Sequence, residues 1–154
     1  MVVFIPECVI FIGIQATGKS TFYKTHFYDT HVRINLDMLK TRNREEKLFQ
    51  TCLEIKQHCV IDNTNPARVE RLKYITSARA AKFKIVGYYF ESKVADALTR
   101  NAHRLQRIVV PEKGILSTYK RLELPSKEEG FDELFYVSLI PNNEFRIEEW
   151  QNEV

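Results

Sequence analysis

Residues 13–20 read GIQATGKS and fill every position of the pattern G-x-x-x-x-G-K-[ST]. That pattern suits the phosphates of a nucleoside triphosphate. Gly13 and Gly18 allow backbone angles and a close approach that a side chain would block, so N–H groups along Ala16, Thr17 and Gly18 can turn toward phosphate oxygens. Lys19 would reach the β- and γ-phosphates, the Ser20 hydroxyl would ligate a magnesium ion bridging them, and Thr21 would meet the α-phosphate. Two carboxylates stand where such a site could use them. Asp37 follows a short apolar stretch and can take the proton of an attacking hydroxyl, or it can pair with the dipole of a helix N-terminus. Asp62 ends the run Cys59, Val60, Ile61 and can hold the magnesium or its water shell, or it can cap a turn made with Asn63, Thr64 and Asn65. Arg100, Arg104 and Arg107 recur at helical spacing with no acid between them. They form either a solvated basic face or a segment that closes cations over a transferring phosphoryl group.

These residues need a scaffold that gathers them, and the hydrophobic pattern supplies one. Residues 8–14 are continuously apolar, as a strand buried on both faces should be. A helix is predicted over 19–28, a short strand over 31–35, and a helix over 44–57 with Leu48, Cys52 and Ile55 on its inner stripe. Residues 59–61 form the next strand. Asn65 and Pro66 read as the cap and first turn of a helix that faces Val69, Leu72 and Ile75 inward. Residues 84–90 are a fourth strand. Helical pattern resumes near Lys93, runs through the arginines and breaks near Pro111. A last strand is expected at 134–140, with a short edge element over 145–150. Strands alternating with helices predict a parallel sheet covered by helices, and the phosphate motif falls between a strand and a helix, where its chemistry requires it.

A chain of 154 residues with 44% hydrophobic and 28% charged content suits one domain with a real core. No apolar run approaches a bilayer's thickness, and the opening MVVFIPECVIFIG lacks a basic flank and a small-residue cleavage site, so a cytoplasmic protein without membrane contact is expected. Cys8, Cys52 and Cys59 lack metal-ligand spacing and read as buried, reduced thiols. The net charge of +3 is unevenly spread. Residues 93–122 hold seven Lys or Arg against Asp96 and Glu112, whereas residues from 123 onward hold nine acids against Lys127 and Arg146. No N-K-x-D tetrad is present to read guanine, and the chain is short for a mechanical ATPase, so a small phosphotransferase leads the alternatives.

With those residues placed, the stretches HVRINLDMLK and CVIDNTNPARVERLKYITSARAAKF, together with LELPSKEEGFDELFYV, resemble the kinase domain of the polynucleotide 5'-hydroxyl kinases. The resemblance spans residues 9–137 and includes no phosphatase or ligase domain. It implies an α/β fold: a P-loop NTPase three-layer sandwich with a mostly parallel central sheet, one domain over 1–154, and a kinase-type lid near 100–113. It also implies ATP and magnesium as cofactors, Asp37 as the general base, Arg104 as the lid residue with Arg107 as the alternative register, and Lys40 at the place of an arginine that contacts acceptor phosphate. Gln15 and Ala16 depart from the Pro and Gly usual there, and Lys40 keeps a charge without the bidentate fork. The expected acceptor is a 5'-hydroxyl of a nucleic acid, and no protein partner is expected. The alternatives are a small-molecule kinase acting on a nucleoside, sugar or antibiotic, a toxin-type kinase of sugar nucleotides, and an ATP-binding module without catalysis.

Overall fold

The computed structural model describes residues 3–151, leaving the side chains of Arg107 and Asn143 outside the description. The apolar run after Pro6 forms β1 (Glu7–Ile12), and α1 (Lys19–His26) follows the phosphate motif. Next come β2 (Val32–Ile34), the four-residue α2 (Leu36–Leu39), α3 (Arg42–Glu54), β3 (Cys59–Ile61), α4 (Arg68–Ala80) and β4 (Lys84–Phe90). The chain continues through α5 (Val94–Ala102), α6 (Glu112–Arg121), β5 (Glu133–Ile140) and β6 (Glu144–Glu149). The strands form one sheet in the order β2-β3-β1-β4-β5-β6, parallel except for β6, which runs antiparallel to β5.

β1 is apolar throughout because both of its faces are covered. Cys8, Ile10 and Ile12 pack with Phe49, Cys52 and Leu53 of α3 and with Tyr74, Ile75 and Ala78 of α4. Val9 and Phe11 face the other way, against Phe22 and Tyr23 of α1, with Phe27, Phe90 and Val137. The three layers and the mostly parallel sheet agree with the expected class. Because all strands from β1 to β5 run the same way, their carboxyl ends lie together, and the loops after β1, β2, β3 and β4 meet at one edge.

Three local expectations give way to tertiary packing. α4 starts at Arg68 with Ala67 at its cap position. Asn65, with φ of 44°, instead sends its amide to the Phe11 carbonyl at 2.7 Å. The buried stripe of α4 is Arg71, Tyr74, Ile75 and Ala78, leaving Val69 and Leu72 72% and 54% exposed. An arginine takes an interior position there because Glu129 and the Asn65 and Pro66 carbonyls satisfy all its reach. In α3 the inner residues are Glu45, Phe49, Cys52 and Leu53, while Leu48 is half-buried and Ile55, past the helix end, is exposed. The arginine-rich segment is not one helix. α5 stops at Ala102, a single 3-10 turn follows at Gln106–Ile108, and Asn101 closes the loop by exchanging hydrogen bonds with the Val110 backbone at 2.6 and 2.9 Å.

The three cysteines are free and buried, as expected. The hydrogen bond that the Cys52 thiol donates to the Cys59 sulfur, together with burial, pushes Cys52 well above its ordinary range, so it is inert. Among the described residues no helix is long and apolar enough to cross a membrane.

Candidate phosphate and phosphoryl-transfer site

The loop between β1 and α1 takes the shape its motif demands. Ala16 and Gly18 have φ of 62° and 96°, so the backbone turns its N–H groups toward one concavity ahead of α1. Gly18 cannot be enlarged: a Cβ there would stand 2.8 Å from the Phe145 ring of β6, which itself packs on Phe22 at 5.1 Å. The loop is held from below and from the side. Gly13 donates its N–H to the Thr64 carbonyl at 2.9 Å, and Ile14 donates to the Ser92 hydroxyl at 3.1 Å. Thr17 is buried and its hydroxyl donates to the Ile14 carbonyl at 2.9 Å, making it part of the loop's frame.

Lys19 is buried and folded into this loop, donating to the Gly13 and Ile14 carbonyls at 2.9 and 2.6 Å. Burial pulls its ammonium down from 10.5 to about 8; the Asp62 and Asp37 carboxylates oppose that pull, and the Arg104 guanidinium adds to it. An ammonium in so poor a solvent gains strongly from an arriving phosphate. Ser20 and Thr21 open α1 on its exposed side. The Ser20 hydroxyl lies 3.5 Å from Asp62 Oδ2.

Asp62 is buried at the carboxyl end of β3, so the capping role is not what holds it: its carboxylate accepts from Arg33 Nε at 2.8 Å. Its backbone carbonyl receives the Asn35 amide at 2.6 Å. A serine hydroxyl and one carboxylate are hard oxygen donors that suit magnesium, which is held by few protein ligands together with phosphate and water. Among the described residues no group of three or more His, Cys, Asp or Glu side chains could hold a metal by itself.

Asp37 lies in the first turn of α2 and is exposed. The helix's cap role belongs to Asn35, whose side chain accepts from the Met38 N–H at 2.8 Å. α2 is further fixed by Asn63, which accepts the Leu36 N–H at 2.9 Å and donates to Glu45 at 2.8 Å. Glu45 is buried and also receives Tyr74 and Arg42. The Asp37 carboxylate is near enough to raise both the Lys19 and the Arg104 groups, which places it within the same field as the phosphate loop and the arginine segment. Lys40 ends α2, exposed, with φ of 75°.

The arginine segment meets the loop through two contacts. Arg100 donates from Nε to the Ala16 carbonyl at 2.6 Å, and Gln15 donates to Thr118 of α6 at 3.0 Å. Ile14, Ala16, Ala97 and Ile115 form a small apolar seat between them. Arg104 is half-buried; burial and the Arg100 charge draw its guanidinium below its ordinary value. Arg107 falls in the 3-10 turn, and its side chain lies outside the described residues. The structure thus brings the loop, Asp62, Asp37 and Arg104 to one edge. Sequence reasoning missed Arg33, Glu45, Asn63, Arg71 and Ser92. Only Asn63 carried a signal, through its place in the polar run after β3.

No family model matches the sequence. The chain is 30% identical over 129 residues to a bifunctional polynucleotide phosphatase/kinase of Schizosaccharomyces pombe, a match covering 81% of this chain and 32% of the relative. It is 28% identical over 140 residues to a putative bifunctional polynucleotide phosphatase/kinase of Acanthamoeba polyphaga mimivirus, covering 86% and 33%. The chain therefore spans about a third of the length of these curated relatives. Among solved structures, a gluconokinase from Sinorhizobium meliloti superposes with a TM-score of 0.60 at 17% identity, covering 88% of this chain and 84% of that one, a likeness of fold.

Proposed function

We propose that this chain, a P-loop kinase fold that resembles the polynucleotide kinases, transfers the γ-phosphate of ATP to a 5'-hydroxyl of a nucleic acid. The observation that carries the reading is Asp37: an exposed carboxylate on α2, a helix fixed by Asn35 and Asn63, in the field of both Lys19 and Arg104. A nucleotide switch needs no such acceptor-side base. In the proposed step the acceptor oxygen attacks the γ-phosphorus, its proton passes to Asp37, and the bond from the γ-phosphorus to the bridging oxygen breaks to release ADP.

The remaining residues take supporting roles. The loop from Gly13 to Gly18, through the N–H groups along Ala16, Thr17 and Gly18, holds the phosphates with Lys19, and Thr21 stands at the α-phosphate. Ser20, with Asp62 beside it, would hold magnesium, which would supply positive charge against the triphosphate. Arg104 stabilises charge on the transferring group, with Arg107 as the alternative register. Lys40 meets an acceptor phosphate.

The relatives' names and the basic block over 93–122 support the nucleic-acid acceptor. The test is transfer from labelled ATP to a panel of 5'-hydroxyl oligonucleotides, nucleosides and sugars at several salt concentrations. Oligonucleotides should be preferred, and their binding should weaken steeply with salt because phosphate contacts release counterions. Transfer to a sugar or free nucleoside alone, at any salt, would replace this reading with a small-molecule kinase.

A further inference from the structure

The Ser20 and Asp62 oxygens have a third partner that the proposed chemistry leaves unused. Arg33 of β2 donates from Nε to Asp62 Oδ2 at 2.8 Å and from Nη2 to Ser20 Oγ at 3.0 Å. With Ser20 Oγ itself 3.5 Å from the same Oδ2, one guanidinium grips both oxygens assigned above to the metal. The grip has a built frame. β2 pairs with β3 so that Arg33 lies beside Val60 and Ile34 beside Ile61, setting the guanidinium level with the end of β3. The Tyr23 ring lies 5.9 Å from Arg33 Cζ, and its hydroxyl is anchored on the His31 carbonyl. Asp62 is 2% exposed and Arg33 28%, so the carboxylate is fixed and the arginine has a route to solvent.

Charge decides the consequence. A buried carboxylate needs a compensating cation, and here Arg33 supplies it through a direct charge-assisted bond while Lys19 adds a second positive field. A divalent ion approaching the same oxygens alone would meet two cations and gain little. When it arrives with phosphates, their negative charge offers Lys19 and the displaced guanidinium new partners. We propose that Arg33 is an internal cation that competes with the divalent metal for the Ser20–Asp62 pair, so that metal enters with the nucleotide and not ahead of it. The inference rests on the reading of Ser20 and Asp62 as the metal-holding pair.

The test needs no catalysis. Mn2+ is titrated into nucleotide-free protein and the free ion is followed by electron paramagnetic resonance. The wild type should bind weakly, and Arg33→Gln should bind about tenfold more tightly, the equivalent of one charge-assisted hydrogen bond released. Arg33→Lys, which keeps the charge, should stay nearer the wild type, and adding Asp62→Asn to Arg33→Gln should abolish the gain. Circular dichroism checks the fold, and Arg33→Met repeats the measurement should the glutamine variant unfold. Unchanged or weaker Mn2+ binding in the folded neutral variant would overturn the proposal, as would an equal gain in Arg33→Lys. A parallel titration with a fluorescent ADP analogue and Mg2+ keeps the two readings apart. Failure of the wild type to bind it would refute the kinase reading; normal nucleotide binding with no Mn2+ gain would refute the competition by Arg33 alone.

Discussion

Replacing Lys19 by methionine should make the nucleotide-free protein more stable at neutral pH while abolishing its phosphate site. The wild-type ammonium is buried and drawn from 10.5 to about 8 by that burial. At about 1.4 kcal/mol per pH unit, keeping it charged at pH 7 costs the folded state about 3 kcal/mol. Methionine removes that cost but leaves the Gly13 and Ile14 carbonyls without their donor, a loss of about 1 kcal/mol each. The net expectation at pH 7 is a gain of about 1 kcal/mol. The unfolded chain holds this proton up to about 10.5 and the folded chain only to about 8, so between those values the unfolded state binds more protons and wild-type stability rises with pH. By pH 9.5 the cost falls to roughly 1 kcal/mol, and the variant should be slightly the less stable of the two. Urea unfolding of both proteins at pH 7 and 9.5 measures the change. A difference that stays constant across that window would refute the argument that burial of Lys19's charge strains the resting loop.

Asp37→Asn should lower kcat by about two to four orders of magnitude while ATP affinity stays nearly unchanged, as for a lost general base; rapid-quench transfer and an equilibrium nucleotide titration check the two halves. Arg104→Ala should reduce turnover more than it weakens ATP binding, because the charge it meets develops during transfer; an equal loss in both would make the segment a binding face. Arg71→Met should cost about 3 to 5 kcal/mol in urea unfolding, since it strands Glu129 in a largely buried place, and adding Glu129→Gln should recover part of that loss.

The parts of this molecule legible in its sequence are those where local chemistry and burial agree. The phosphate loop announces itself because each position answers a backbone or charge requirement, and β1 because both of its faces are covered. Asp37 and Asp62 were legible as carboxylates at strand ends, although not which of two roles each would take: Asn35 caps α2 while Asp37 sits in its first turn, beside the dipole, and Arg33 pairs with Asp62. The inward face of α4 was misread because Arg71 counts as an outward residue in any hydrophobic pattern, and its partner Glu129 lies 58 positions away. Glu45 is hidden for the same reason: only the fold brings Asn63, Tyr74 and Arg42 around it. The arginine helix failed differently. Spacing alone cannot register that Asn101 closes a loop onto Val110 and ends α5 before Arg104.

The central claim is that the γ-phosphate reaches a 5'-terminal oxygen of a nucleic acid strand. The most direct test is to incubate the protein with magnesium, γ-labelled ATP and a 5'-hydroxyl oligonucleotide, digest the product to nucleotides, and locate the label. Label is expected solely on the 5'-terminal nucleotide, with none when the oligonucleotide already carries a 5'-phosphate and a deep loss of transfer with Asp37→Asn. No labelled oligonucleotide, together with label on a sugar or free nucleoside offered in its place, would contradict it.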